Sequence, residues 1–316
     1  MSKFLIAGGA GFIGSNITQE LLKKGHYVRV LDNFISGKLE NLKFTKGLGK
    51  NRFELMKGDI RSKSDCEKAC EEIDFISCQA ALRSVPKSME DPFSYNDVNI
   101  NGLLTLLQAA TKKQVKRLVF ASSSSVYGDT DQFPETETQY PLLISPYALS
   151  KLTGEYYCRI FSEHFGLETV CLRYFNVFGP KQALDDEYAV VIPKFIHCVM
   201  HDEQPPIFGN GKQSRDFTYI DNVVSANILA ATTPGIKHEV LNVANGKDTT
   251  VLEIVQLLNK ILEKNIKPKL LPKRAGDVFK TKADISRIKK VLKFEPKIDF
   301  EEGLTKTVEY FKEQWA

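Results

Sequence analysis

The first 175 residues alternate between short apolar runs and longer stretches whose apolar residues recur every three or four positions. KFLIAG, from Lys3, reads as a strand, and FIGSNITQELLKKG, from Phe12, as a helix closed by Gly25. YVRVLD is a second strand and ends in an acid. RFELMKGD is a third, and SKSDCEKACEE is a helix capped by Ser62 or Ser64. DFISCQAA supplies a fourth strand, and one long helix is predicted from Asp91-Pro92 through VNINGLLTLLQAATKK. KRLVFASSS is a fifth strand. A further helix starts near Ser145-Pro146 with proline in its first turn, and ETVCLRYF is a sixth strand. Strands that are apolar on nearly every residue, each followed by a helix, predict a parallel sheet covered on both faces. Such sheets bind ligands at the carboxyl ends of their strands.

Beyond FNVFGP the texture changes. Pro and Gly recur in EQPPIFGNGKQ, TTPGIKH and LPKRAGD, and the strands shorten. The chain therefore reads as α/β. A Rossmann-type doubly wound parallel sheet is expected over residues 1–176 and a smaller α+β lobe over residues 177–316, with a strand near 239–244 returning to the large sheet. The 316 residues, 42% hydrophobic and 26% charged, form a core that needs no disulfide staples. The 43 basic residues are balanced by 39 acidic ones and form no basic stripe, which argues against nucleic acid. The opening MSKFLIAGG lacks signal-peptide architecture and a membrane-length apolar run. Six scattered cysteines without a CxxC read as reduced thiols, so a cytoplasmic location away from membranes is expected. His197 and His201 are four apart but have no acid between them, so no metal site is expected.

The chemistry begins at IAGGAGFIGSNI. Gly8, Gly11 and Gly14 follow a strand and open a helix, and Asp32 ends the next strand. Gly8 would make the tight turn, Gly11 would let a pyrophosphate approach the backbone, and Gly14 would let helix and strand pack closely. Asp32 would bind ribose hydroxyls and repel a 2'-phosphate, so NAD is expected rather than NADP. Asp59 and Ile60, at the end of the third strand, are candidates for the adenine rim.

SPYALSK puts Tyr147 and Lys151 four apart, on one helical face. A lysine ammonium and a positive nicotinamide ring would both favour phenolate, lowering the tyrosine pKa from its usual ~10 toward that of a general base. A hydroxyl from the run ASSSSVYG would hold the same substrate oxygen.

Together, GxxGxxG, the serines before VYG, and YxxxK resemble the extended short-chain dehydrogenase/reductase family. LRYFNVFGP, GNGKQSRDFTYIDN and RAGDV are similar to its nucleotide-sugar branch, and QAALRSVPKSMEDP and AVVIPKFI to UDP-N-acetylglucosamine 4-epimerases. The resemblance runs nearly end to end. It implies NAD as cofactor, a UDP-sugar substrate and a homodimer built through a helix bundle. It also implies Ser123, Tyr147 and Lys151 as catalytic residues. The cofactor set it implies adds Phe12, Ile13, Asn33, Ser36, Gly37, Gln79, Ala80, Ala81, Asn99 and Tyr174. On the substrate side it implies Ser84, Val85, Ser124, Ser125 and Asn176, then Val191 and Phe208 about the uracil. Asn176, Arg215, Arg274 and Asp277 would hold diphosphate and ribose, and Thr281 would wall the sugar pocket. Arginine suits a diphosphate because its planar fork binds oxygens in pairs.

Within that branch, dehydratases carry an Asp-Glu pair directly before VYG, and decarboxylases a Glu two residues before its tyrosine. Those places hold Ser124 and Ser125 here, and serine cannot do that proton chemistry at neutral pH. The expected reaction is inversion at sugar carbon 4 through a transient 4-keto sugar. The expected substrates are UDP-GlcNAc/UDP-GalNAc with UDP-Glc/UDP-Gal first, and UDP-glucuronate second. A net oxidoreductase is a third reading. Arg83 could meet a sugar carboxylate or the cofactor.

Overall fold

The computed structural model describes residues 1–184, 191–272 and 278–315. β1 (Lys3–Ala7) runs into α1 (Phe12–Lys23), and β2 (Tyr27–Asp32) follows a turn in which Gly25 takes φ +83°. β3 (Phe53–Lys57), α2 (Lys63–Ala69) and β4 (Phe75–Cys78) come next, with Ser62 capping α2 by accepting the Asp65 amide. The single long helix expected from Pro92 is divided. α3 (Val85–Glu90) precedes it, and the helix itself is α4 (Pro92–Asn96), a π-helical turn at Asp97–Asn101, and α5 (Gly102–Lys112). The π turn brings Asn99 inward, where its amide clamps the backbone of Leu82 from both sides.

β5 (Arg117–Ser123) leads to α6 (Pro146–Phe165) and β6 (Glu168–Tyr174). Ser145 accepts the Ala148 amide and Pro146 occupies the first turn, as the sequence predicts. The remainder alternates short pieces: β7 (Val177–Phe178), α7 (Val191–Met200), β8 (Pro206–Phe208), β9 (Ser214–Asp216), β10 (Thr218–Tyr219) and α8 (Ile220–Thr232). It continues through β11 (His238–Val243), β12 (Asp248–Thr250), α9 (Val251–Leu262), β13 (Lys269–Leu271), α10 (Ser286–Leu292) and α11 (Phe300–Trp315).

The large sheet has the order β11-β6-β5-β4-β1-β2-β3, and every neighbouring pair is parallel. β11 returns to the sheet beside β6 from far along the chain. One face is covered by a core that includes Ile17, Leu21, Val223 and Ala226 of α1 and α8. The other carries Cys66, Leu103, Leu106 and Phe161 of α2, α5 and α6. The six cysteines are buried free thiols. The chain turns outward to β2 and β3 from one side of β1 and to β4, β5 and β6 from the other. The loops after β1 and β4 therefore part at their carboxyl ends, and a crevice opens between them. No helix among the described residues is long and apolar enough to cross a membrane.

Arg117 ties this sheet to α8. It is 3% exposed and donates to the carbonyls of Ala230, Thr233 and Ile236 and to the Glu168 carboxylate. These bonds satisfy the open carbonyls at a helix C-terminus. Arg117→Ala is expected to lower unfolding free energy by about 3 kcal/mol in urea titration, since it strands several buried acceptors at once.

Candidate active site

The crevice holds a cleft of about 540 Å³. Gly8 stands at φ +79°, and a Cβ there would meet the Ala80 amide nitrogen at 2.6 Å. A Cβ on Gly14 would strike the Gly8 carbonyl, so α1 could not approach β1 as it does. Gly11 differs: its Cβ would meet only the Gly8 carbonyl, at 3.3 Å, and otherwise point into open space before α1. The N-terminus of α1 has no side-chain cap and faces the cleft with free amides. A pyrophosphate fits this cradle, because the space is kept clear and the helix end is positive. Asp32, 7% exposed, is fixed by the amides of Ala10 and Phe34 at 2.9 and 2.8 Å. Each oxygen keeps a further lone pair for a ribose hydroxyl. Phe12, Ile13, Asn33, Ser36, Ile60, Gln79, Ala80, Ala81 and Tyr174 line the same cleft. Its floor is braced by Asn227 Nδ2, which donates to the Tyr174 hydroxyl at 2.8 Å, and by Gln79 Nε2, which donates to Ser77 Oγ at 2.8 Å.

Tyr147 and Lys151 share the inward face of α6, against the end of β5. The Ser123 hydroxyl donates to Ser125 Oγ at 3.1 Å, accepts the Ser125 amide, and sits close enough to Tyr147 to act on its phenol. Lys151 Nζ donates to the Ala121 carbonyl at 2.7 Å and lies 5.8 Å from the centre of the Tyr147 ring. The sequence argument had lysine lowering the phenol pKa. In the protein alone burial wins and pushes the phenol above its ordinary value, while Ser123 and the positive Arg83 pull it back. Burial also lowers Lys151 to about 8. Ser122 lines the first cleft and Ser124 and Ser125 a second, so Ser123 sits at their border.

The second cleft has about 450 Å³. It gathers Val85, Ser124, Ser125, Asn176, Val191, Phe208, Arg215 and Thr281 from distant parts of the chain. Asn176 Nδ2 donates to Thr281 Oγ1 at 3.1 Å and to the Asp216 carbonyl at 3.0 Å. Two buried carboxyls hold this wall in place, and the sequence reading named neither. Asp216 accepts the amides of Asn245, Gly246 and Ala283 at 3.0, 2.9 and 3.2 Å. Glu135 accepts the Lys282 amide at 2.6 Å. Burial pushes each up to about 7. Their partners lie 29 to 147 residues away along the chain, and no motif marks them.

Other expected residues sit beside the clefts. Asn99 gives its amide to Leu82 and to Ser150 Oγ, which places it behind the loop carrying Ala81 and Arg83. Ser84 caps α3 by accepting the Lys87 amide. Asp59 is held by Arg61 and Asn33, and the Arg61 guanidinium keeps its carboxyl well below the usual range. Gly37 packs on Asp32, leaving no room for a Cβ. Arg274 and Asp277 lie outside the described residues.

With this geometry in hand, similarity to known proteins decides the family. The NAD dependent epimerase/dehydratase family matches residues 4–244. This chain belongs to that family. It is an NAD-dependent enzyme. A solved UDP-N-acetylglucosamine 4-epimerase from Methanobrevibacter ruminantium M1, in complex with UDP-N-acetylmuramic acid, is 40% identical over 99% of both chains, with a TM-score of 0.93. The UDP-glucuronate 4-epimerase of Thermodesulfobacterium geofontis is 35% identical over 99% of this chain and 97% of its own. The UDP-N-acetyl-alpha-D-glucosaminuronate decarboxylase of Bacillus cytotoxicus is 32% identical over 98% and 97%.

Gly8→Ala is expected to yield a folded protein that purifies with little NAD, read from cofactor content after perchloric acid release. Retention at the wild-type level would contradict the close approach of Gly8 to Ala80. A pH effect follows from Glu135. Its carboxyl holds a proton more tightly in the folded state, so its contribution to stability is full below its ordinary 4.5 and is lost as pH rises to about 7. Glu135→Gln should therefore gain on the wild type between those pH values in urea unfolding. A difference that does not change with pH would mean the carboxyl does not titrate there.

Proposed function

We propose that the chain is a UDP-sugar 4-epimerase acting on UDP-GlcNAc/UDP-GalNAc and UDP-Glc/UDP-Gal, with residues 1–176 and β11 as its NAD-binding unit. The observation that carries the reading is the Ser123–Tyr147–Lys151 group at the border of two clefts, next to serines where a dehydratase or decarboxylase needs acids. Bound NAD supplies the acceptor and donor for the hydrogen at sugar carbon 4.

The residues do the rest. Tyr147 takes the proton of the 4-hydroxyl and later returns it, and Ser123 shares the same oxygen. Lys151 stabilises the phenolate by its charge and binds the nicotinamide ribose. That charge opposes burial, which raises the phenol in the protein alone. Ser124 and Ser125 offer the sugar neutral hydroxyls and no acid, so elimination and decarboxylation have no proton donor. Val191 and Phe208 flank the uracil, and Arg215, with Arg274 and Asp277, holds the diphosphate and ribose. Asn176 and Thr281 form the wall of the sugar pocket. Threonine is small enough to leave room for a 2-N-acetyl group.

Arg83 supports a second substrate, UDP-glucuronate. It lines the first cleft and acts electrostatically on Tyr147, where a sugar carboxylate would also be attracted. The homodimer implied by the family rests on α6, where Leu149, Tyr156 and Ile160 are 52%, 57% and 43% exposed along one side.

The test is incubation of the purified protein, without added NAD, with UDP-GlcNAc, UDP-Glc and UDP-glucuronate in turn. NMR is expected to show the axial 4-hydroxyl epimer of the first two. Tyr147→Phe is expected to abolish turnover while UDP-sugar still binds. Accumulation of a keto or deoxy sugar, or a requirement for stoichiometric cofactor, would overturn the epimerase reading.

A further inference from the structure

α6 touches the last three residues of β5 with three side chains of one helical face. Tyr147 meets Ser123, Lys151 meets the Ala121 carbonyl, and Glu155 meets Ser122. The first two belong to the chemistry proposed above. Glu155 lines neither cleft. It is 5% exposed and accepts the Ser122 hydroxyl at 2.5 Å. Its two oxygens also take a paired bond from Arg173 of β6, from Nε at 2.9 Å and Nη2 at 2.8 Å. The Arg173 guanidinium in turn lies 4.8 Å above the ring of Tyr127, whose hydroxyl donates to Asn242 of β11 at 2.6 Å.

A buried carboxylate is tolerated only when its lone pairs are filled, and here Arg173 supplies both charge and geometry. Stability alone would be met by that pair. The Ser122 bond adds something different, because Ser122 lies between the two strand atoms that hold the reacting groups. With Ser122 fixed, neither the Ala121 carbonyl nor the Ser123 hydroxyl can shift along the strand or turn from α6.

We propose that Glu155 is a positioning residue for the reaction, acting through Ser122 to hold Ala121 and Ser123 in register with Lys151 and Tyr147. The proposal rests on the epimerase reading of that group. Tyr147 is faced by Lys151 on its own helix, Ser123 of β5, Tyr95 of α4 and Arg83 after β4. Glu155 is faced by Arg173 and Cys171 of β6, with His238 of β11 nearby. Of these contacts, Ser123's is the one that Glu155 reaches through a single intervening residue.

Two variants test this, each keeping the Glu155–Arg173 charge pair in some form. Ser122→Ala removes the hydroxyl and leaves the ion pair intact. Glu155→Asp keeps the charge opposite Arg173 and draws the carboxylate back from Ser122. For whichever variant folds, kcat with UDP-GlcNAc is expected to fall about 10- to 100-fold, the range for small misplacement of reacting groups, with KM little changed. The acid limb of the kcat–pH profile is expected to move to higher pH, because a looser Ser123 stabilises the phenolate less. Wild-type kcat and an unmoved acid limb, even with a lower melting temperature, would overturn the proposal. Tyr147→Phe run alongside separates the two ideas. If it retains turnover, the epimerase mechanism fails; if it is inactive while both variants are normal, only the positioning role of Glu155 fails.

Discussion

A lysine ammonium buried against a backbone carbonyl is the constraint around which this protein is arranged. Lys151 is 4% exposed, and its nearest partner is the Ala121 dipole rather than a carboxylate. Burying a charge with so little compensation is costly, and burial alone draws its pKa down to about 8. A full counter-ion at that point would neutralise the positive field at Tyr147. The fold keeps its negative charge one helical turn farther along, at Glu155, and gives that carboxylate to Arg173 instead. The ammonium is left 5.8 Å from the centre of the Tyr147 ring, with no carboxylate among the described residues bonded to it.

That arrangement depends on the sheet. β5 and β6 are the third and second of seven parallel strands, and β11 comes back to cover the outer edge of β6. The active-site end of β5 is braced by α6, and Asn227 bonds Ser77 of β4 and Tyr174 of β6 on either side of it. Glu135 and Asp216 do similar work in the second lobe, where backbone amides converge on buried carboxyls and fix the wall that carries Arg215 and Thr281. Asp32 and Gln79 in one cleft and Asn176 and Thr281 in the other are already bonded on the protein side, so a ligand meets side chains held in place before it arrives.

What could be read directly from the sequence was local. The glycines, Asp32 and the Tyr147–Lys151 pair declare themselves because turn geometry and helical spacing fix their neighbours within a few residues. The strand at His238–Val243 was expected to join the large sheet, and the structure places it beside β6. The helix expected from Pro92 was misread as continuous, since its apolar period runs unbroken through the π turn and the reason for the break, Asn99 holding Leu82, lies in another segment. Glu135, Asp216 and the Ser122–Glu155 bond escaped notice because they join parts of the chain that only the folded topology brings together. The rise of the Tyr147 phenol in the protein alone was not legible for a related reason. Charges can be guessed from a motif, but the depth of burial that outweighs them cannot.

The four serines divide at the last residue of the sheet. Ser122 and Ser123 belong to β5 and are held by the helix behind it. Ser124 and Ser125 open a 3-10 turn whose fixed points are Val126 and Tyr127, both buried. The side chains at 124 and 125 line the second cleft outside the core, and Ser125 Oγ accepts from Ser123 Oγ. Acids could replace them at little cost to folding, while the same change two residues earlier would break the scaffold. The protein thus separates what must stay constant from what can vary by a single peptide bond, and a lineage built on this plan can acquire a new reaction without rebuilding the machine that performs it.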